Sequence, residues 1–378
     1  MKSIEWVVKA SKFCNLRCEY CYEWNSLGDR ARLGLRQWRS LLEAICGYHL
    51  RLEERLGETV EVRLIWHGGE PLALPSAYLD AVMSLQAEVL VGLRHAILLQ
   101  TNLYRVPDAT LDVLRRHQVK LGVSMDVFGG VRRDLRGCET EAAVVANMDR
   151  LDRMGIRYGA ITVVAKHNHR RLTDVHDFWA RRRVGFRVLP LFEGPSERPM
   201  GRFELSDAEL VDALDRLFDH WIEAGAVVDV APLSEWLRDV LRKLLCVRRP
   251  VYDRGRDGER VFLVETNGGL FQTDERGRPE LSLGNVFTDP IVDILTGGAF
   301  AASLARTEAK TARYCGRCPH YGFCDGYPVH AEPFAIAPDC GCPVTTAVHD
   351  YIEGYLLKAG YDASALLQLL SERDRRTA

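Results

Sequence analysis

The sequence predicts an α/β fold: an incomplete barrel of six βα units followed by a small cysteine-rich domain. Three observations predict it. Short apolar runs alternate with amphipathic stretches through roughly the first 225 residues, the pattern of strands and helices that build a parallel sheet. Polar, often glycine-containing clusters come directly after the first four apolar runs. The eleven cysteines are unevenly spread, three within residues 14–21 and five within 315–342.

Strands are expected near 4–10, 62–66, 96–100, 119–124, 158–164 and 185–190. Helical periodicity fills the intervals at 35–56, 76–92, 107–117, 141–154 and 171–182, with Gly, Pro or Asp near most junctions. Two further helices are expected at 206–224 and 233–245. The texture then changes to Gly- and Arg-rich loops, with a hairpin at 260–273 turned by Asn267-Gly268-Gly269. A last helical stretch from Val344 to about Leu370 is expected to pack across the barrel. The division is therefore 1–225 for the barrel, 226–343 for the small domain and 344–378 for the C-terminal helix and tail.

In parallel βα architectures the loops after strand C-termini build the site. The cysteine triplet follows strand one, His67-Gly68-Gly69-Glu70-Pro71 follows strand two, Gln100-Thr101-Asn102 ends strand three, and Ser124-Met125-Asp126 ends strand four. All four clusters are expected at one rim.

The composition excludes some functions. Among 378 residues, 50 basic against 52 acidic side chains leave a formal charge of −2, which supplies no global field for nucleic acid or an anionic membrane. Neither is an expected partner. No apolar run approaches the roughly 20 residues of a spanning helix, and the N-terminus lacks a signal-peptide pattern, so a cytoplasmic protein is expected. Clustered thiols in that setting read as metal or cluster ligands rather than crosslinks.

CNLRCEYCY at 14–22 sets Cys14, Cys18 and Cys21 at x3 then x2 spacing. One short loop can wrap three corners of a cubane cluster and leave the fourth iron without a protein ligand. A closed zinc site wants four ligands, and no fourth Cys or His lies close in sequence. The triplet, with an aromatic residue before its last cysteine, resembles the signature of the radical S-adenosylmethionine superfamily.

That resemblance implies a partial (β/α)6 TIM-like barrel, a [4Fe–4S] cluster and S-adenosylmethionine. It implies reductive cleavage of the sulfonium to a 5′-deoxyadenosyl radical that abstracts a substrate hydrogen. A flavodoxin- or ferredoxin-type electron donor follows from it. Carried over by position, Tyr20 would lie beside the adenine, and Gly68, Gly69 and Glu70 match the Gly-Gly-Glu-Pro element, with Glu70 accepting from the methionine ammonium. Gln100 and Asn102, with Ser124 and Asp126, match stretches that contact ribose or carboxylate. His67 is expected to touch the cofactor or to pack within its loop.

Cys315-x2-Cys318-x5-Cys324, with Cys340 and Cys342 beyond, resembles the SPASM auxiliary-cluster domain of enzymes that mature peptides and sulfatases. The match departs from the full pattern. Pro328 and Thr273 stand where cysteines would hold a first auxiliary cluster, and Cys246 alone cannot replace them. One auxiliary [4Fe–4S] cluster is expected, on Cys315, Cys318, Cys324 and Cys342, with Cys340 as the alternative to Cys342. A four-cysteine zinc site is the alternative for the group. Asp274 occupies the place of the catalytic base in sulfatase-maturating relatives, and a solvated turn Asp is the competing reading. Glu265, Arg187, Glu193 and Arg132 are further candidates to meet a substrate.

The substrate expected first is a ribosomally made precursor peptide, crosslinked, epimerised or oxidised. A small molecule, such as a sugar or aminocyclitol that is dehydrogenated, epimerised or decarboxylated, is the alternative, and sulfatase maturation comes third. With strand one at the N-terminus, no winged-helix peptide-recognition domain is expected ahead of it.

Overall fold

The computed structural model of the protein describes residues 2–191, 201–248, 260–272, 278–324 and 342–377. Its strands are β1 (Lys2–Ser11), β2 (Leu16–Cys18), β3 (Val60–Gly68), β4 (His95–Thr101), β5 (Lys120–Ser124), β6 (Arg132–Asp134), β7 (Tyr158–Val164), β8 (Phe186–Pro190), β9 (Val230–Ala231), β10 (Val261–Val264), β11 (Gly269–Gln272) and β12 (Gly284–Asn285). The helices are α1 (Leu35–Leu56), α2 (Ser76–Val89), α3 (Asp108–Arg116), α4 (Glu141–Arg153), α5 (Leu172–Arg182), α6 (Asp207–Glu223), α7 (Leu233–Leu244), α8 (Ile291–Ile294), α9 (Gly298–Cys315), α10 (Pro343–Lys358) and α11 (Ala363–Thr377).

The six expected strands are β1, β3, β4, β5, β7 and β8, each parallel to the next. Period-2 alternation explains their two faces. In β1 the buried Ile4, Trp6, Val8 and Ala10 face the helices, whereas Glu5, Lys9 and Ser11 point the other way. Helix α1 answers with Trp38, Leu41, Leu42, Ile45, His49 and Leu52 at helical spacing. Trp38 stacks on Trp66 of β3 at 4.7 Å between ring centroids. Gly57, left-handed at φ 66°, ends the helix.

Three features depart from the sequence reading. The hairpin β10–β11 is not a sheet of its own: β10 pairs in parallel with the free edge of β1, setting Trp6 beside Phe262. One ten-stranded sheet results, in the order β12-β11-β10-β1-β3-β4-β5-β7-β8-β9. Apolar Phe262 and Val264 extend the core of β1, so edge pairing beats a free-standing hairpin. Helix α9 fills part of what read as loops, burying Phe300, Ser303 and Leu304. The last helical stretch is broken after Lys358, where Gly360 turns left-handed at φ 70°. Helix α10 packs on α6 and α7, with Tyr355 edge-on to Phe218 of α6 at 5.4 Å.

Among the described residues no helix is long and apolar enough to cross a membrane.

Candidate functional site

The first turn after β1 carries the cysteine triplet. Cys14 is buried, and its amide donates to Leu27 O at 3.1 Å. Cys18 closes β2, which pairs antiparallel with β6 and brings Arg132 beside it. Cys21 N then donates to Cys18 O at 3.0 Å, a tight turn that keeps the two sulfurs on one side.

The loop after β3 clamps this segment from outside. Gly69 N donates to Ser11 O at 2.9 Å and Glu70 N to Phe13 O at 2.8 Å. A Cβ on Gly69 would sit 2.2 Å from Phe13 O and 2.3 Å from Lys12 O, and one on Gly68 (φ 121°) 2.1 Å from Ser11 O. These glycines therefore permit backbone to approach backbone, within the chain itself.

Glu70 is buried at 2% exposure. Its carboxylate accepts from Leu72 N (2.8 Å), Thr101 Oγ1 (2.7 Å) and Asn102 N (2.6 Å). Burial pushes its pKa up, against the three hydrogen bonds. Two carboxylate oxygens offer about four acceptor positions, so three donors leave one. Asn102 Nδ2 turns to Asn15 Oδ1 at 2.8 Å and lies 3.7 Å from Cys14 Sγ. Gln100 Nε2 donates to Ser124 Oγ at 2.6 Å, tying the ends of β4 and β5 together.

All three thiols and His67, Gly68, Gly69, Glu70, Gln100, Asn102, Ser124, Tyr20 and Arg132 line one cavity of about 370 Å³. The rim expected from the sequence is thus assembled, with one exception. Asp126 does not line the cavity; it lies 1% exposed behind Tyr20, whose hydroxyl donates to it. Its other oxygen accepts from Val163 N at 3.1 Å, and Arg132 reaches Tyr20 Oη at 3.0 Å. His167 stacks on Tyr20 at 5.8 Å. Arg187 pairs with Glu235 at 2.6 Å and is not part of the cavity wall. Asp274, Glu193 and Cys340 lie outside the described residues.

Sequence reasoning missed an inner wall and a charge cluster. Ile161, Val163, Leu189 and Leu191 line the far side of the cavity. Period-2 alternation in β7 and β8 was the available signal. Lys9, 6% exposed, pairs with Glu23 at 2.6 Å and Glu265 at 2.7 Å. A lysine in an apolar strand was that signal.

Burial pushes Cys14 and Cys21 up to about 12 and raises Cys18 as well, with Cys18 adding to the shifts of the other two. Thiolate is the ligand form, and burial disfavours it here unless a cationic centre is bound. The donor set therefore fits a positively charged iron–sulfur centre.

Cys315, Cys318, Cys324 and Cys342 line a second, small cavity of about 30 Å³ with His320 and His349. Cys315 ends α9 and Cys342 precedes α10. Cys318 N donates to Cys315 O at 3.0 Å, and burial pushes Cys315 up to about 11. His349, 1% exposed, sets Nδ1 2.7 Å from Thr345 O, and its other nitrogen groups with Cys324 and Asp239 within 4.8 Å. Cys46, Cys138 and Cys246 stand apart from both cavities.

The pattern of the Radical SAM superfamily matches residues 8–178. A serine-type anaerobic sulfatase-maturating enzyme of Bacteroides thetaiotaomicron is 23% identical over 361 residues, covering 83% of each chain. A cysteine-type anaerobic sulfatase-maturating enzyme of Clostridium perfringens is 22% identical over 336 residues, covering 84% of this chain and 86% of the relative. Among solved structures, native anSMEcpe with bound AdoMet and Cp18Cys peptide aligns with TM-score 0.76 at 19% identity, over 94% of this chain and 98% of that one. Streptococcus suis SuiB bound to precursor peptide SuiA aligns with TM-score 0.61 at 16% identity, over 86% and 71%. These likenesses establish the fold. The superfamily pattern lies on the strands and loops that assemble the three-thiol cavity, so residues 8–178 carry the radical SAM pattern, and the likeness to sulfatase-maturating enzymes extends over more than four fifths of the chain.

Proposed function

We propose that this enzyme removes a hydrogen atom from a residue within a polypeptide substrate, and that the cavity behind β1, β3 and β4 is where it does so. The observation that carries the reading is the convergence of Cys14, Cys18 and Cys21 with Glu70 and the Gln100–Ser124 pair on one cavity of about 370 Å³. When bound, the cluster and S-adenosylmethionine supply a one-electron cleavage of a carbon–sulfur bond and, through it, hydrogen abstraction.

The chain's own residues have three tasks. The triplet holds three corners of the cluster. Glu70, a buried carboxylate with no ion pair among the described residues, offers its remaining acceptor position to the cofactor's ammonium. Ile161, Val163, Leu189 and Leu191 keep water off the reacting atoms. Tyr20, held by Asp126 and Arg132, is a flat, immobile wall suited to an adenine. Cys315, Cys318, Cys324 and Cys342 are proposed to hold one auxiliary [4Fe–4S] cluster in a domain spanning 226–343.

Two features favour a polypeptide. Relatives over more than four fifths of the chain carry the name of sulfatase-maturating enzymes, and two structures of the same fold hold peptides. Those names also support a specific second reading, maturation of a sulfatase. Anaerobic reconstitution followed by reductant and S-adenosylmethionine tests the common core through 5′-deoxyadenosine. Mass spectrometry on a precursor peptide encoded beside the enzyme, against a sulfatase-derived peptide, then separates the readings by which of them loses two hydrogens. If neither peptide changes while 5′-deoxyadenosine forms, the polypeptide proposal fails.

A further inference from the structure

A cluster held by buried thiols must receive its electron through the surface nearest those thiols. That surface is identifiable from the backbone. Cys14 N bonds to Leu27 O and Lys12 N to Ala31 O, Ser11 bridges to Arg32, β2 pairs with β6, and Tyr104 packs on the apolar group around Cys14. Segments 26–32, 104–105 and 132–136 are therefore the outer cover of the cysteine loop.

This cover is basic. Arg17, Arg30, Arg32, Arg105 and Arg136 make no ion pair within 4 Å among the described residues. Arg17 is pinned to the loop itself, donating to Cys14 O at 3.0 Å and Leu16 O at 2.7 Å. Arg30, Arg32 and Arg105 lie over the rings of Phe13, Tyr78 and Tyr104 at 5.7, 5.1 and 5.1 Å, contacts that orient a guanidinium without neutralising it. The carboxylates of the same face are engaged. Asp29 sits 4.0 Å from Lys12, Glu19 is bound by Arg133 and Arg202, Glu139 by Arg133, and the buried Asp134 accepts from Tyr104 Oη and the amides of Arg136 and Cys138, with Arg105 nearby. Leu135, 57% exposed, lies beside Arg136. A chain of net charge −2 thus concentrates an excess of positive charge, around one exposed apolar side chain, over its cysteine loop.

We propose that this face docks an acidic one-electron carrier protein, which delivers the electron to the cluster. The proposal rests on the reading of Cys14, Cys18 and Cys21 as cluster ligands. Charge complementarity selects the partner: acidic residues around its redox group would meet the arginines, and an apolar rim would meet Leu135.

The test is stopped-flow reduction of the reconstituted full-length enzyme by reduced flavodoxin, followed at the cluster's visible absorbance, for the wild type and Arg30→Glu/Arg105→Glu. The second-order rate constant of the variant is expected to fall about tenfold or more at low salt, within the range of electrostatic steering. The gap is expected to close near about 0.5 M salt, where screening shortens the reach of surface charge. Formation of 5′-deoxyadenosine with a photoreduced small-molecule donor should be unchanged, which shows that variant and cluster are intact. Equal rates and equal salt dependence in the two proteins would overturn the docking surface. Competition by single-stranded RNA, lost in the same variant, would reassign the surface to nucleic acid and overturn it too. If the wild type yields no 5′-deoxyadenosine even with the small donor, the cluster reading itself fails.

Discussion

Replacing Gly69 by Ala tests whether the Gly-Gly-Glu-Pro loop is a clamp on the cysteine segment. The new methyl would lie 2.2 Å from Phe13 O and 2.3 Å from Lys12 O, both backbone, so no side-chain rotation relieves it. Either the loop moves, losing the hydrogen bonds Gly69 N to Ser11 O and Glu70 N to Phe13 O, or the core beneath is overpacked. Two hydrogen bonds contribute about 1–3 kcal/mol net. Overpacking costs about 1–3 kcal/mol, so by either route about 1–3 kcal/mol of local stability is at stake. The segment displaced is the one carrying Cys14. The loss is therefore expected first in iron retained after anaerobic reconstitution and in 5′-deoxyadenosine formed, and second in the melting temperature of the metal-free chain. Gly28→Ala is the control, because a Cβ there meets nothing within 4 Å in the same segment. A Gly69→Ala enzyme with wild-type iron content and wild-type cleavage would refute the clamp.

Three further predictions follow from the same geometry. Glu70→Gln turns an acceptor into a donor that faces Thr101 Oγ1 and Leu72 N or Asn102 N; leaving one buried donor unmatched costs about 1–3 kcal/mol, and S-adenosylmethionine affinity measured by equilibrium binding is expected to fall at least tenfold. Iron counting is expected to give about eight atoms per wild-type chain and about four in either Cys18→Ala or Cys318→Ala, only the first abolishing 5′-deoxyadenosine; about four iron atoms plus one zinc in the wild type would favour a zinc site at the second cavity instead. His49 is fixed as the neutral ring, its Nε2 accepting from Trp6 Nε1 at 3.1 Å and its Nδ1 facing Val60 O at 3.2 Å, and burial lowers its pKa from 6.5 to about 4. The unfolded chain takes up that proton first, so stability present above pH 6.5 is lost as pH falls toward 4, by up to about 3 kcal/mol; urea unfolding of the metal-free chain should show a shallower acid slope in His49→Gln, and parallel slopes would contradict it.

The legible part of the fold was the part governed by local periodicity. The alternation of Ile4, Trp6, Val8 and Ala10 and the spacing of Trp38, Leu41, Leu42 and Ile45 each carry their element's identity within a dozen residues. Placing the cysteine triplet and the residues at 67–71, 100–102 and 124 at one rim needed only the rule that strand C-termini share a side. What escaped depends on contacts far apart in sequence. Asp126 carries the same Ser-x-Asp spacing whether it faces the cavity or, as here, accepts from Tyr20, 106 residues away. The parallel pairing of β10 with β1 joins segments some 250 residues apart, and no turn chemistry announces it. Helix α9 was obscured by small residues, Ala and Ser, that give a weak apolar stripe.

Lys9 shows why that distant pairing matters for the site. An ammonium at 6% exposure would be costly alone, and it is matched here by two carboxylates from opposite directions. Glu23 stands two residues after Cys21 and lines the cavity, while Glu265 belongs to the β10–β11 turn. The lysine thus links the cysteine loop and the hairpin to the same strand, β1. Removing it would leave two carboxylates without their shared cation. The hairpin and the cysteine loop are therefore tied to one another through β1, by backbone pairing on one side and by the shared ammonium on the other.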